Sequence, residues 1–534
     1  MSLTKVSYSM INGAVVNILD YGAIGDGTTD DTAAYLAAIA TGKSVYFPSG
    51  TYLVCPVTGG GQRTSSAVLS SNQTLFGNGA SSIIKWKDSF TGQSLLMATN
   101  ASNIVIRDLK FTAGPTQQPL ALQITPASAN SVSNVTIQNC YFTNLGIALG
   151  LGDQLETNNS SFACSNITVR DCIFDTIYVH AVLLSNINGF IVDNCYFENV
   201  GYVSTGGYCV DMSQGSRYGT LSNCIGTDSR YFSKVESSTP VGGTASVCLS
   251  HNISILNNNI YDMAPVGAAN TEFAIGVING VSDIIINGNT IVYSNTAIFC
   301  SDTNPAATGP LFIENNTCNS ADSVLLFMNN ASLNIPANVN NNVLTSTDNG
   351  VYVAHTSFSI KDNFITAGTG VQLVSTSSFG LISGNSINGT SYGILFNAST
   401  TSDVEIIANK IQSTSNFLYL NGTLSKITVL SNKFKATTTG GYVNSVNSFM
   451  YSNNYVQDVS TSGVPSLNMT NISNALIGEN TFNTNTGNAS TSLTVSGTLL
   501  NVLAINNISS RTVSIAAGTN VTSTNNAFAI AYTA

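Results

Sequence analysis

A short pattern that returns along nearly the whole chain limits what it can fold into more than any other feature. A β-branched run is followed by a polar pair and an apolar residue, as in "SNVTIQNCYF", "SNITVRDCIF", "SDIIINGNTI", "SFSIKDNFI", "SDVEIIANKI" and "SKITVLSNKF". The residue two places before the closing apolar position reads Leu109, Cys140, Cys172, Cys195, Cys224, Asn258, Asn289, Asn316, Asn341, Asn363, Asn385, Asn409, Asn432, Asn453, Asn480, Asn506 and Asn526. A period of about 20–30 residues marks a stacked repeat. β-branched stretches between Gly, Asn and Ser turns, with no helical spacing, make each repeat a set of short strands. The pattern therefore predicts an all-β parallel β-helix, a solenoid in which like residues stack on like.

Such a stack explains its own polar core. A lone buried amide is costly, but stacked asparagines bond up and down a column. Cysteine is small and asks little of its hydrogen bonds, so it fits the same column. Both ladders are expected to be structural, and no catalytic weight falls on those cysteines. The ten cysteines show no C-x-x-C and no Cys/His cluster. They are expected to be reduced, in a protein made in a cytoplasm, and no metal or cofactor is implied.

The spacing separates two halves. From Leu109 to Asn316 seven steps cover 207 residues, whereas from Asn341 to Asn453 five steps cover 112. The earlier coils are the longer ones. Insertions in solenoids map to loops, often on the binding face, so a long-loop face is expected at about 146–310 and plain scaffold after it.

Composition excludes several classes. Charged residues are only 8% of the chain, yet 43% hydrophobic content is ample for a core. A net charge of −10 disfavours nucleic-acid binding. No run approaches the roughly 18 apolar residues of a membrane span, and "MSLTKVSYSMINGAVV" lacks the apolar core of a secretory signal.

An open solenoid end exposes strand edges and needs a cap. "TTDDTAAYLAAIATGKSVYFPSGTYLV" is expected to supply one. Thr29, Asp30 or Asp31 N-caps a short helix from Thr32 to about Ala40, with Gly42 past its end. A strand pair, "SVYFP" and "GTYLV", follows around a Pro-Ser-Gly turn, and "NQTLFGNGASSIIKW" adds another strand.

These residues also carry a family resemblance. "VNILDYGAIGDGTTDDTAAYLAAI", "VYFPSGTYLV" and "LFGNGASSII" resemble the N-terminal cap of the pectate-lyase-like right-handed β-helix superfamily, in the form found in bacteriophage tailspikes. The match covers about the first ninety residues. It implies that Asp20, Asp26, Asp30 and Asp31 are structural, with Gly25 and Gly27 where backbone freedom is needed. It implies a homotrimer in a virion tail, attached through its N-terminus to the phage tail, baseplate or an adaptor. The implied organisation is a neck at 1–20, cap and first coils at 21–100, body at 101–510 and a closing coil at 511–534.

The polygalacturonase motifs "NTD" and "GHG" are absent, and the single "DD" lies in the cap. The three histidines, His180, His251 and His355, read as packed or surface residues. Glycoside hydrolysis needs one protonated and one ionised carboxyl, and uronate lyases need a base. Candidate acids in the long-loop region are Asp153, Glu156, Asp211, Asp228, Glu236, Asp262, Glu272 and Asp302. Residues 201–240 hold Asp211, Arg217, Asp228, Arg230, Lys234 and Glu236, about twice the chain's average charge density. In "GGYCVDMSQ" Val210 and Met212 are expected to point inward, turning Asp211 outward from a rigid strand. Asp211, Glu236 and Asp228 are therefore the candidate catalytic acids. The repeated "SRY" offers Arg217 and Arg230 for anionic sugars and Tyr218 and Tyr231 for stacking. The expected function is recognition of a bacterial surface polysaccharide and its cleavage by hydrolysis or β-elimination. The alternatives are a non-cleaving adhesin on the same scaffold and a bacterial or prophage-encoded polysaccharide enzyme.

Overall fold

The structure is a computed structural model. It describes residues 15–56, 65–87, 93–114, 118–126, 132–152, 164–201, 206–237, 249–263, 273–293, 295–302, 309–329, 336–354, 357–374, 378–457, 465–483, 491–509 and 511–526. The first fourteen residues of the expected neck, the loop acids Asp153, Glu156 and Glu272, His355 and the end of the closing coil lie outside these, and so do the side chains of Asp262 and Asp302. The chain divides into two compact units, Met1–Ile285 and Ile286–Ala534.

In the first unit each coil contributes to three parallel ladders. One runs through Ser102–Arg107, Ser133–Gln138, Cys164–Arg170, Ile187–Asp193, Arg217–Ser222 and His251–Leu256. A second runs through Lys110–Thr112, the front of Tyr141–Gly152, the front of Ile173–Ser185, Tyr196–Val200 and Ile225–Thr227. The third runs through Ser94–Ala98, Leu120–Ile124, the rear of the same two long strands, Tyr208–Ser213, Tyr231–Glu236 and Phe273–Ile278. This is the parallel β-helix that the repeat predicts.

The corners follow from residue type. Asn103, Asn134 and Asn166 turn successive coils with φ of 60°, 54° and 55°. Asparagine tolerates this left-handed region because its short side chain bonds locally. Here the bonds run between coils, from Asn134 Nδ2 to Asn103 Oδ1 at 3.1 Å and from Asn166 Nδ2 to Asn134 Oδ1 at 3.0 Å. Inside, Phe111, Phe142, Phe174 and Phe197 stack with centroids 5.3, 4.9 and 5.0 Å apart. Each such pair adds about 0.5–1.5 kcal/mol beyond its buried area.

The cap helix spans Thr32–Ile39. Asp31 occupies its N-cap, but its carboxylate does not cap the helix. It accepts from the Ile24 and Gly25 amides at 2.7 and 3.1 Å, closing the preceding loop. Asp30 instead takes the Thr32 amide at 3.0 Å. Gly25 has φ 70°, and a Cβ there would meet the Tyr52 ring at 2.9 Å. Asp30 and Asp31 thus help to shape the turn into the helix. The strands Val45–Phe47 and Gly50–Val54 both form but do not pair with each other. The first pairs with Val16–Asn17 and Thr74–Gly77, and the second with Asp26–Asp30 and Ser82–Trp86. The Pro-Ser-Gly segment is a solenoid corner, because parallel stacking already satisfies both strands.

The polar ladder is present in both units, with a one-residue correction at three rungs. In the first unit the cysteines donate their thiols locally, as Cys172 Sγ does to Arg170 O at 3.2 Å, and Cys224 N donates to Asn258 Oδ1 at 2.9 Å. In the second unit the column runs through Asn289, Asn316, Asn342, Asn363, Asn385, Asn409, Asn432, Asn454, Asn480, Asn507 and Asn526. The rungs are Asn342, Asn454 and Asn507, not Asn341, Asn453 and Asn506. The latter three are the left-handed corner residues, with φ of 55°, 55° and 52°. Where two asparagines are adjacent, the pattern does not say which turns the corner and which enters the column.

Candidate functional site

The third ladder of the first unit gathers the chemistry. Its register pairs Tyr208 with Tyr231 and Asp211 with Lys234 on neighbouring strands. Lys234 and Glu236 are two apart on one strand, so they share a face. Lys234 Nζ lies 3.3 Å from Asp211 Oδ2 and 2.6 Å from Glu236 Oε2. The two carboxylates are therefore within 5.9 Å of each other. Asn279 Nδ2 donates to Glu236 Oε1 at 2.7 Å and fixes the second carboxylate.

An aromatic shelf adjoins the charged group. Tyr208 stacks on Tyr231 at 4.8 Å, and Phe273 lies 4.9 Å from Tyr231. His180 stacks on the other side of Tyr208 at 5.8 Å, and its Nδ1 accepts the Tyr208 amide at 3.3 Å. Lys234 Nζ sits 4.8 Å from the Tyr208 centroid, and the Arg230 guanidinium 5.4 Å from that of Tyr231. Aromatic faces of this kind receive sugar rings and cations alike.

Val210 and Met212 are buried as expected, but Asp211 is not a solvated acid. It is only 4% exposed. Burial pushes its carboxyl up from 3.8 to about 6; Lys234 pulls against that rise and Glu236 adds to it. One oxygen, Oδ1, has no hydrogen-bond partner among the described residues and is open to a proton. Burial alone would lower the Lys234 pKa, but Asp211, Glu236 and Tyr208 outweigh it and hold the ammonium above its usual value. The group thus joins an acid that titrates near neutrality to a second carboxylate held by two donors. General acid–base pairs depend on such divergent environments.

The other candidates fall elsewhere. Asp228 is an exposed corner residue with φ 47°, bonded by Thr227 Oγ1 at 3.1 Å. Its charge acts on Tyr196 of the second ladder. Arg217 lies on the first ladder, donating to Asn186 Oδ1 and Gly215 O at 3.3 and 2.9 Å. Tyr218 is exposed there, edge-on to His251 at 5.2 Å. The two "SRY" copies therefore serve different ladders, and only Arg230 and Tyr231 join Asp211. The sequence already offers Tyr208, with Tyr202, Tyr218 and Tyr231, for sugar binding, but it did not select Lys234, His180, Phe273 or Asn279. The spacing Tyr-x-x-Asp in "YCVD" and Tyr-x-x-Lys in "YFSK" was the available signal, since it superposes both pairs on adjacent coils. Among the described residues no group of three His, Cys, Asp or Glu side chains could hold a metal ion, and no helix is long and apolar enough to cross a membrane.

Comparison with known proteins fits this architecture. The sequence profile of the rhamnogalacturonase A/epimerase, pectate lyase-like family matches residues 15–225, which contain the cap, Tyr208 and Asp211. The chain is a parallel β-helix, and its residues 15–225 are similar to that family. This β-helix is 24% identical over 279 residues to the pre-neck appendage protein of Bacillus phage B103, covering 47% of the chain and 30% of that relative. It is 39% identical over 106 residues to the mannuronan C5-epimerase AlgE3 of Azotobacter vinelandii, covering 17% of the chain and 6% of the epimerase. The chain spans less than a third of the length of these curated relatives. Among solved structures, the pre-mature bacteriophage phi29 gene product 12 aligns with a TM-score of 0.47 and 16% identity over 91% of this chain and 73% of the other. The sequence similarity to the Bacillus phage B103 appendage protein spans 279 residues, well beyond the first ninety.

Proposed function

We propose that this β-helix is a phage tailspike component that binds a bacterial surface polysaccharide and hydrolyses it at the Asp211–Lys234–Glu236 group. The observation that carries the reading is two carboxylates within 5.9 Å beside an aromatic shelf, one of them raised to about 6 by burial. In this reading a sugar ring lies against Tyr208. Asp211 gives its proton to the leaving glycosidic oxygen. Glu236, held in place by Lys234 and Asn279, meets the developing positive charge at the anomeric carbon. Relatedness to phage appendage proteins supports the tail location, and attachment through the N-terminus and assembly as a homotrimer belong to the same proposal.

One observation favours a second reading. Lys234 already bridges both carboxylates, and such a closed ion group also suits hydroxyl recognition without cleavage, as in an adhesin. The two readings part on a single assay. Purified protein is mixed with surface polysaccharides from a panel of bacteria, and new reducing ends are followed over time. Hydrolysis releases them; retention of a polysaccharide on the immobilised protein with no reducing ends identifies the adhesin.

A further inference from the structure

The second unit was expected to be scaffold, yet its coils between residues 379 and 503 carry a cleft of about 790 Å³. Along it runs one register column, Leu381, Glu405, Thr428, Met450, Leu476 and Leu503, paired coil to coil. Beside it runs the corner column, whose left-handed residues include Phe379, Asp403, Lys426, Asn474 and Asn501. Asparagine and aspartate suit that corner, and a bulky aromatic does not. Phe379 nonetheless holds φ 56° there while 70% exposed, so little packing offsets its strain. Strain without a packing reason points to a role outside the fold.

The rest of the cleft fits one ligand chemistry. Met450 and Leu503, 39% and 38% exposed, offer further apolar faces. Fixed polar groups also line it: Lys426 Nζ is 3.1 Å from Asp403 Oδ1, and Asn501 Nδ2 is 2.8 Å from Asn474 Oδ1. Glu405 lines the cleft with no ion pair among the described residues. Five coil steps of about 4.8 Å give a length of about 24 Å. An apolar end at Phe379 and Leu381, a charged and polar middle from Asp403 to Thr428 and an apolar run at Met450, Leu476 and Leu503 match an oligosaccharide, whose rings offer both apolar faces and hydroxyl edges. A second copy of this chain fits less well, because a protein interface needs a continuous apolar centre depleted of charge. Two carboxylates against one ammonium favour neutral or amino sugars over uronates.

We infer that this cleft is a second glycan-binding subsite, which holds a neutral or amino-sugar stretch of the polysaccharide and does no chemistry on it. The inference rests on the polysaccharide reading of the protein. The test compares the full-length chain with its Phe379→Asn and Asp211→Asn variants by surface plasmon resonance, on the same panel of purified bacterial polysaccharides, together with thermal melting and light scattering. Asparagine is a residue this corner already uses, so Phe379→Asn is expected to melt no lower than wild type. It is expected to weaken binding at least tenfold while keeping the wild-type rate of reducing-end release at saturation, and Asp211→Asn is expected to keep binding. Unchanged binding by Phe379→Asn, with wild type still binding and cleaving, overturns the subsite alone. Unchanged binding with a lower oligomeric mass overturns it in favour of a self-association surface. A wild-type chain that captures no polysaccharide overturns both the subsite and the functional reading beneath it.

Discussion

Asp211 and Lys234 are register partners on adjacent parallel strands, and their side chains repeat that relationship as a 3.3 Å ion pair. The pairing places the ammonium between two carboxylates and fixes which of them is buried. If Asp211 is the proton donor, kcat/KM falls as pH rises through about 6, the value to which burial raises its carboxyl. Asp211→Asn should lose at least a hundredfold in cleavage and retain polysaccharide binding, as read by a pH–rate profile and a binding isotherm on the same substrate.

Stability should carry the same signature with a definite sign. The folded pKa of Asp211 lies above its usual 3.8, so between about 4 and 6 the folded state binds more protons than the unfolded one. Its contribution is present at low pH and is lost as pH rises through about 6, by on the order of 3 kcal/mol. The melting-temperature difference between wild type and Asp211→Asn should therefore shift against wild type over that window. A constant difference from pH 4 to 7 would show that Asp211 titrates normally.

The corrected ladder makes a pairwise prediction. Asn342 donates Nδ2 to Asn363 Oδ1 and Ile313 O, each at 2.9 Å, and accepts the Asn316 amide at 2.9 Å. Asn342→Ala leaves several buried groups unsatisfied and should cost about 2–4 kcal/mol. Asn341 is an exposed corner residue with φ 55°, so Asn341→Gly should stay within about 0.5 kcal/mol. Chemical denaturation of the two variants decides which asparagine occupies the column.

Substitutions at the shelf and away from it should separate. Tyr208→Ala removes the ring between His180, Tyr231 and Lys234 and should weaken polysaccharide affinity about tenfold, as loss of a stacking and cation–π face does. Asp228→Asn and Arg217→Ala, on other ladders, should leave cleavage within twofold.

How far the sequence could be read follows from what its pattern encodes. Repetition reports what every coil must do alike, so the β-helix, the buried cysteines and the asparagine column were legible. It also located Asp211, because alternation with Val210 and Met212 is local. It did not report burial by neighbouring coils, which depends on Tyr208 and Lys234 reaching the same point from different strands. Nor did it separate the two "SRY" copies, whose identical letters sit on different ladders. Phe379 escaped notice because only a backbone angle shows that it occupies an asparagine's corner.

The measurement that bears most directly on the central claim is the mass of the products formed from a bound surface polysaccharide by wild type, Asp211→Asn and Glu236→Gln. The account predicts saturated oligosaccharides from wild type, each cleavage adding one water, and none from either variant despite retained binding. Products lighter by one water would contradict hydrolysis, and undiminished cleavage by both variants would remove the Asp211–Lys234–Glu236 group from the chemistry.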